Sequence, residues 1–103
     1  MSVVVVATIQ PRSGRRDQVI AALEDAVARV HAEDPGCDLY ALHENGDQLV
    51  MIEKWASAEA LTAHGQSAAF TELAGRLEGN LESGLDVQVL TPRPAGTQGQ
   101  GQL

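Results

Sequence analysis

An α+β fold, with one four-stranded antiparallel sheet built in the βαββαβ order of a ferredoxin-like domain, is what this sequence predicts. Three observations lead there. Val3 to Ile9 is a run of β-branched and small apolar residues. Cys37 to Glu44 and Gln48 to Trp55 are two further strand-like stretches that meet at Asn45-Gly46, a dipeptide suited to a tight hairpin turn. The segments that follow the first strand and the hairpin carry apolar residues at helical spacing instead.

The first strand is apolar at both parities, with Val3, Val5, Ala7 and Ile9 on one face and Val4 and Val6 on the other. A half-exposed antiparallel strand should alternate, so both faces of this one seek cover. Pro11 ends it, having no N–H for a ladder. Ser13 is the expected N-cap of the first helix, with Asp17 in its first turn. Val19, Ile20, Leu23, Ala26, Val27 and Val30 form the buried stripe, and Asp25 and Arg29 are spaced for a surface pair. The helix stops before Pro35-Gly36.

With Asn45-Gly46 as a two-residue type I′ loop, Glu44 should pair with Asp47, Leu42 with Leu49, Tyr40 with Met51 and Asp38 with Glu53. These residues and Trp55 then share one sheet face, while Leu39, Ala41, His43, Val50, Ile52 and Lys54 share the other. Ser57 should cap the next helix, on which Leu61 and His64 lie three apart. After Gly65, Ser67 should cap a second short helix with Phe70, Leu73, Ala74 and Leu77 inward. Leu85 to Leu90 is the last strand. Residues 1–91 are read as the domain and 92–103, rich in Pro, Gly and Gln, as a mobile tail. Two helical segments cover one sheet face only. The other face is apolar too, and a second copy of the same sheet is the economical cover, which predicts a two-fold homodimer.

The chain has 103 residues, enough for one compact domain, and 44% are hydrophobic, as a packed core needs. Its net charge of −7 makes no basic stripe, which argues against nucleic acid and anionic membranes as partners. A single Cys forms no internal disulfide. The N-terminus lacks the basic region of a secretory signal, and the Val3–Ala7 run is too short for a membrane span, so a soluble, cytoplasmic protein is expected.

Pro35-Gly36-Cys37, Tyr40, His43, the run Glu53-Lys54-Trp55-Ala56-Ser57-Ala58-Glu59-Ala60-Leu61 and then His64 resemble the antibiotic biosynthesis monooxygenase family over about residues 3 to 90. The resemblance implies a dimeric α+β barrel. It also implies an activity drawn from a group that includes cofactor-free oxygenases of quinols and anthrones, haem-degrading enzymes and an isomerase of a sugar phosphate. The anthrone-oxidising members resemble this chain at Trp55 but use an Asn where it has Met51 and a Tyr where it has Leu61. The haem-degrading members use a His near Ala74 and an Asn near Ala7, both absent here.

His64 is the candidate base, because an imidazole can take a proton near neutral pH; the plainer alternative is a His satisfied by backbone at a helix end. Glu53 is the second catalytic candidate, as a partner to His64 or else as a residue of a dimer ion pair. Trp55 and Tyr40 would position an aromatic ring or simply pack in the core, with Met51, Leu42, Leu61 and Phe70 lining the site. Cys37 reads as a small buried hydrophobe. The three His lack close metal-ligand spacing, and no metal or cofactor is expected. The leading expectation is a cofactor-independent monooxygenase of a phenolic or quinol-type substrate. A dimeric small-molecule binding or stress-associated protein without turnover, or a small isomerase, stands behind it.

Overall fold

A computed structural model describes all 103 residues. The chain runs β1 (Val3–Ile9), α1 (Arg16–Glu33), β2 (Cys37–Asn45), β3 (Gln48–Trp55), α2 (Ala58–Gly65), α3 (Ala68–Leu77) and β4 (Asp86–Leu90). The strands form one antiparallel sheet in the order β2-β3-β1-β4, which is the expected α+β topology with its second helix in two pieces. Its thinnest dimension is 20 Å, room for one helix layer on one sheet and no third layer.

The core lies between sheet and helices. Val5, Ala7 and Ile9 of β1 and Tyr40, Leu49, Met51 and Trp55 of the hairpin meet Val19, Leu23, Ala26 and Val30 of α1 and Ala69, Leu73 and Leu77 of α3. Leu39, Ala41, Val50 and Ile52 stay half-exposed on the opposite face. The helices do not reach β4, whose residues are all exposed, Val87 by 50% and Val89 by 60%.

The hairpin register differs from the expected one. Asn45 pairs with Gln48, Leu42 with Met51 and Tyr40 with Glu53. Gly46-Asp47 is therefore the loop, and only Gly46 has a positive φ, +59°, the pattern of a type II′ rather than a type I′ turn. The slip moves each partner by two positions, so no side chain changes face. Asp38 is the extra residue of a bulge between Cys37 and Leu39. It lies exposed instead of facing Glu53, and the bulge re-aims Cys37, which stands opposite Trp55.

Three local details also differ. Arg15, not Ser13, precedes α1, and it gives no side-chain cap; Gly14, at φ +80°, turns the chain so that the Arg15 N–H bonds the Arg12 carbonyl. Arg29 ignores Asp25. It pairs with Glu33 one turn along and with Glu72 of α3, while Asp25 takes Arg76, so these charges clamp α1 to α3. The last strand starts at Asp86 and not at Leu85. In the tail, Lys54 Nζ donates to the Leu103 carbonyl.

Gly36 links α1 to the sheet at φ +82°, and a Cβ placed there would stand 2.7 Å from the Ala60 Cβ of α2. Its carbonyl accepts from the Ala56 N–H at 2.8 Å. Gly36→Ala is expected to cost about 1–3 kcal/mol in urea unfolding, from backbone strain and the forced shift of α2. Gly14→Ala, strained in φ but free of any neighbour, is expected to cost less.

A buried aromatic and carboxylate cluster as candidate active site

Three elements bring the site together. The end of β3 carries Glu53 and Trp55 on the helix-facing side, and β2 sets Tyr40 directly across from Glu53. The turn from α2 into α3 supplies His64 and Phe70. Ser57 caps α2 and Ser67 caps α3 as anticipated, accepting from the Ala60 and Phe70 N–H groups respectively.

His64 is the hub. Its ring lies 4.5 Å from that of Trp55, tilted by 30°, and the rings of Tyr40 and Phe70 present edge-on at 5.3 and 5.4 Å. Trp55 is wholly buried, and His64 and Glu53 are each 5% exposed. Of the other expected lining residues, Met51 is buried, while Leu42 and Leu61 are half-buried against the core. The surface cavities at the α1–α3 seam, beside the C-terminal tail, at the Gln10–Arg16 loop, at the Glu78–Leu85 loop and between α1 and the hairpin are lined by none of Trp55, His64, Tyr40 and Phe70. No three His, Cys, Asp or Glu side chains are grouped so as to hold a metal ion.

The polar pairing corrects the expected one. Glu53 does not reach His64; its Oε1 accepts from Trp55 Nε1 at 2.9 Å. His64 is satisfied neither by Glu53 nor by backbone but by Asp34, whose Oδ2 stands 2.7 Å from Nδ1. The same oxygen accepts from the Ser67 hydroxyl at 3.1 Å. Asp34 is the residue that sequence reasoning missed. One signal could have found it: a carboxylate at a helix C-terminus opposes the helix dipole and needs a partner. Glu33 has Arg29 one turn back, whereas no Lys or Arg lies three or four residues from Asp34. His31 turns out to use its Nε2 on the Tyr40 carbonyl, at 3.1 Å.

Burial pushes the Glu53 carboxyl above its ordinary value of 4.5, and the Trp55 hydrogen bond and the nearby His64 hold it back. Burial, then the Glu53 charge, lifts the Tyr40 hydroxyl well above the phenol range, so it stays a hydrogen-bond donor. Burial raises the Cys37 thiol too, which keeps it out of the thiolate form. A carboxyl raised on folding gives stability that is complete below 4.5 and is lost as pH climbs through the raised value. Glu53→Gln keeps an oxygen for Trp55 and removes the charge. Unfolding at pH 4 and pH 8 should therefore show the variant gaining on the wild type as pH rises.

No buried side-chain nitrogen or oxygen lacks a partner. His64 Nε2, Glu53 Oε2 and Tyr40 Oη make no hydrogen bond within the chain, so each retains some surface, and they belong to side chains packed on one another. An imidazole, a carboxyl and a phenol hydroxyl are thus gathered in one buried cluster around an indole.

Residues 2–76 match the sequence profile of the antibiotic biosynthesis monooxygenase family. The chain belongs to that family. Rv0793 of Mycobacterium tuberculosis, named as a candidate monooxygenase, is 33% identical over 92 residues, which make up 87% of this chain and 90% of Rv0793. The solved structure of Rv0793 superimposes with a TM-score of 0.87 and 27% identity, over 94% of this chain and 100% of that one. PA3566 of Pseudomonas aeruginosa superimposes with a TM-score of 0.81 and 26% identity, over 91% of this chain and 95% of its own. Family members thus share the α+β topology, and no helix of this one is long and apolar enough to cross a membrane.

Proposed function

We propose that this protein is a cofactor-independent monooxygenase that oxidises an electron-rich phenolic or quinol-type compound with molecular oxygen, acting as a homodimer. The observation that carries the reading is the stack of His64 on Trp55, with a free Nε2 at the edge of an otherwise sealed aromatic cluster. The monooxygenase family supplies the reaction class.

The chemistry asks little of the protein. Loss of a proton from a ring hydroxyl, or from the acidic C–H of an anthrone, leaves an electron pair that oxygen can take. In an anthrone one oxygen atom stays on the CH2 carbon as a new C=O; in a quinol it stays on a ring carbon as a hydroxyl while the ring becomes the quinone; in both the other oxygen leaves as water with two hydrogens from the substrate. His64 Nε2 receives the first proton, the Tyr40 hydroxyl donates to the substrate oxygen, and Trp55 backs the imidazole from within the core. Dry surroundings confine the reactive intermediate. Oxygen uptake by metal-free protein, with a panel of hydroquinones and anthrones, tests this. At least one substrate should exceed the buffer rate, and a panel that never does so overturns the reading.

Met51 and Leu61, apolar where the anthrone-oxidising members of the family use polar side chains, favour one second reading, a ligand-binding dimer without turnover. Thermal stabilisation by aromatic ligands, with no product formed, would support it.

A further inference from the structure

We infer that Asp34 is a positioning residue: it holds His64 as the Nδ1–H tautomer, so that Nε2 is the nitrogen left to accept a proton. Only that last step rests on the function proposed above.

The argument starts with the segment that carries Asp34. Pro35 bars its predecessor from helical geometry, and Asp34 is accordingly extended, at φ −100° and ψ 103°. Its own N–H is tied back to the Val30 carbonyl at 3.0 Å. Two residues on, Gly36 is pressed against Ala60 of α2 and bonded to Ala56 after β3. The carboxylate therefore projects from backbone fixed on both sides.

The His64 ring is confined as well. Trp55 covers a face, and Tyr40 and Phe70 wall it edge-on. Asp34 Oδ2 then receives both the Ser67 hydroxyl and His64 Nδ1, and an oxygen already accepting from a hydroxyl has a role for a proton-bearing nitrogen and none for a bare one. The partner on one ring nitrogen sets the state of the other. Nε2, with no partner inside the chain and some surface, is the lone-pair side. When it takes a proton, the resulting imidazolium already faces a carboxylate. The titratable groups around the ring are Asp34 after α1, Tyr40 on β2 and Glu53 on β3, and only Asp34 bonds it.

Long-range proton–nitrogen-15 spectra of the whole protein at alkaline pH read the tautomer directly, with His64→Asn used to assign the ring. The His64 signals should show a protonated Nδ1 and a bare Nε2. His31, whose Nε2 faces a carbonyl, should show the reverse and serves as an internal reference. In Asp34→Ala, His64 should move to the Nε2–H form that free histidine prefers. Ser67→Ala removes the α3 cap and the second bond to Asp34 but spares the bond to His64, and it should leave the tautomer unchanged. An Nε2–H ring in the wild type overturns the inference, as does an unaltered ring in Asp34→Ala. So does a Ser67→Ala ring that flips as fully as the Asp34→Ala ring, because the helix cap would then be the cause. Should Asp34→Ala not fold, the wild-type spectrum decides alone. Failure of every quinol to turn over would remove the proposed function and leave the tautomer where Asp34 sets it.

Discussion

His64→Asn is expected to fold and to lose about 10²–10⁴-fold of its turnover on any quinol or anthrone the protein accepts. The choice of Asn follows from the geometry. Its amide nitrogen falls near the place of Nδ1 and can still donate to Asp34, but nothing replaces Nε2. His64→Ala removes both nitrogens and leaves Asp34, whose side chain is 6% exposed, with only the Ser67 hydroxyl. Removing one hydrogen-bond partner from a buried carboxyl costs about 1–3 kcal/mol, so the alanine variant should lose stability as well as activity. Oxygen uptake and urea unfolding on the two variants separate base from scaffold. An Asn variant with wild-type kcat would dismiss His64 as the base, whatever the alanine variant does.

The contrast between His64 and Asp34 shows what the chain discloses in one dimension. Face assignments were legible because a strand alternates. Parity alone groups Tyr40, Leu49, Met51, Glu53 and Trp55 on one sheet face, and all are buried. That reading survived a wrong register because the slip was by two. The register itself was not legible. Asn45-Gly46 and Gly46-Asp47 both offer a glycine for the positive φ, and pairing along the whole hairpin chooses between them. The bulge at Asp38 was hidden for the same reason. Asp34 is a different kind of omission. It lies 30 residues from His64 in sequence, and no periodicity links a helix C-terminus to the end of another helix. The Glu53–His64 pairing was plausible as two polar groups on one face, but Trp55, on the same strand and face, is nearer. The charge pairs on α1 followed the same pattern, with Arg29 and Asp25 reaching across to α3 instead of to each other.

The wild type is expected to run as a dimer, and Val50→Glu or Ile52→Glu to split it or to drive the protein out of solution. The sheet has helices on one side only, within a body 20 Å thick. Val50 and Ile52 sit on the central hairpin strand of the other side, next to Leu39 and Ala41, and all four are half-exposed in the single chain. On the same face Leu90 of β4, paired with Val4, is uncovered as well, whereas Val87 and Val89 pair with Ala7 and Val5 and so point to the helix side. Covering a large apolar side chain completely is worth about 1.5–3 kcal/mol, and side chains already half-buried gain a part of that. A contiguous apolar face is what soluble monomers avoid, and a second copy can cover it by meeting it with the same face. Two-fold symmetry then makes the test severe. Each substitution enters the interface twice, and a carboxylate buried without a partner costs several kcal/mol, where each 1.4 kcal/mol weakens association tenfold. The control must not disturb the α1–α3 clamp, which rules out Arg29, bonded to Glu33 and Glu72. Glu24 is exposed on α1 and makes no ion pair, so Glu24→Lys should leave assembly unchanged. Size exclusion with light scattering at micromolar concentration reads the result: a folded monomer in the wild type, or a dimer indifferent to Val50→Glu, would mean that this face has some other cover.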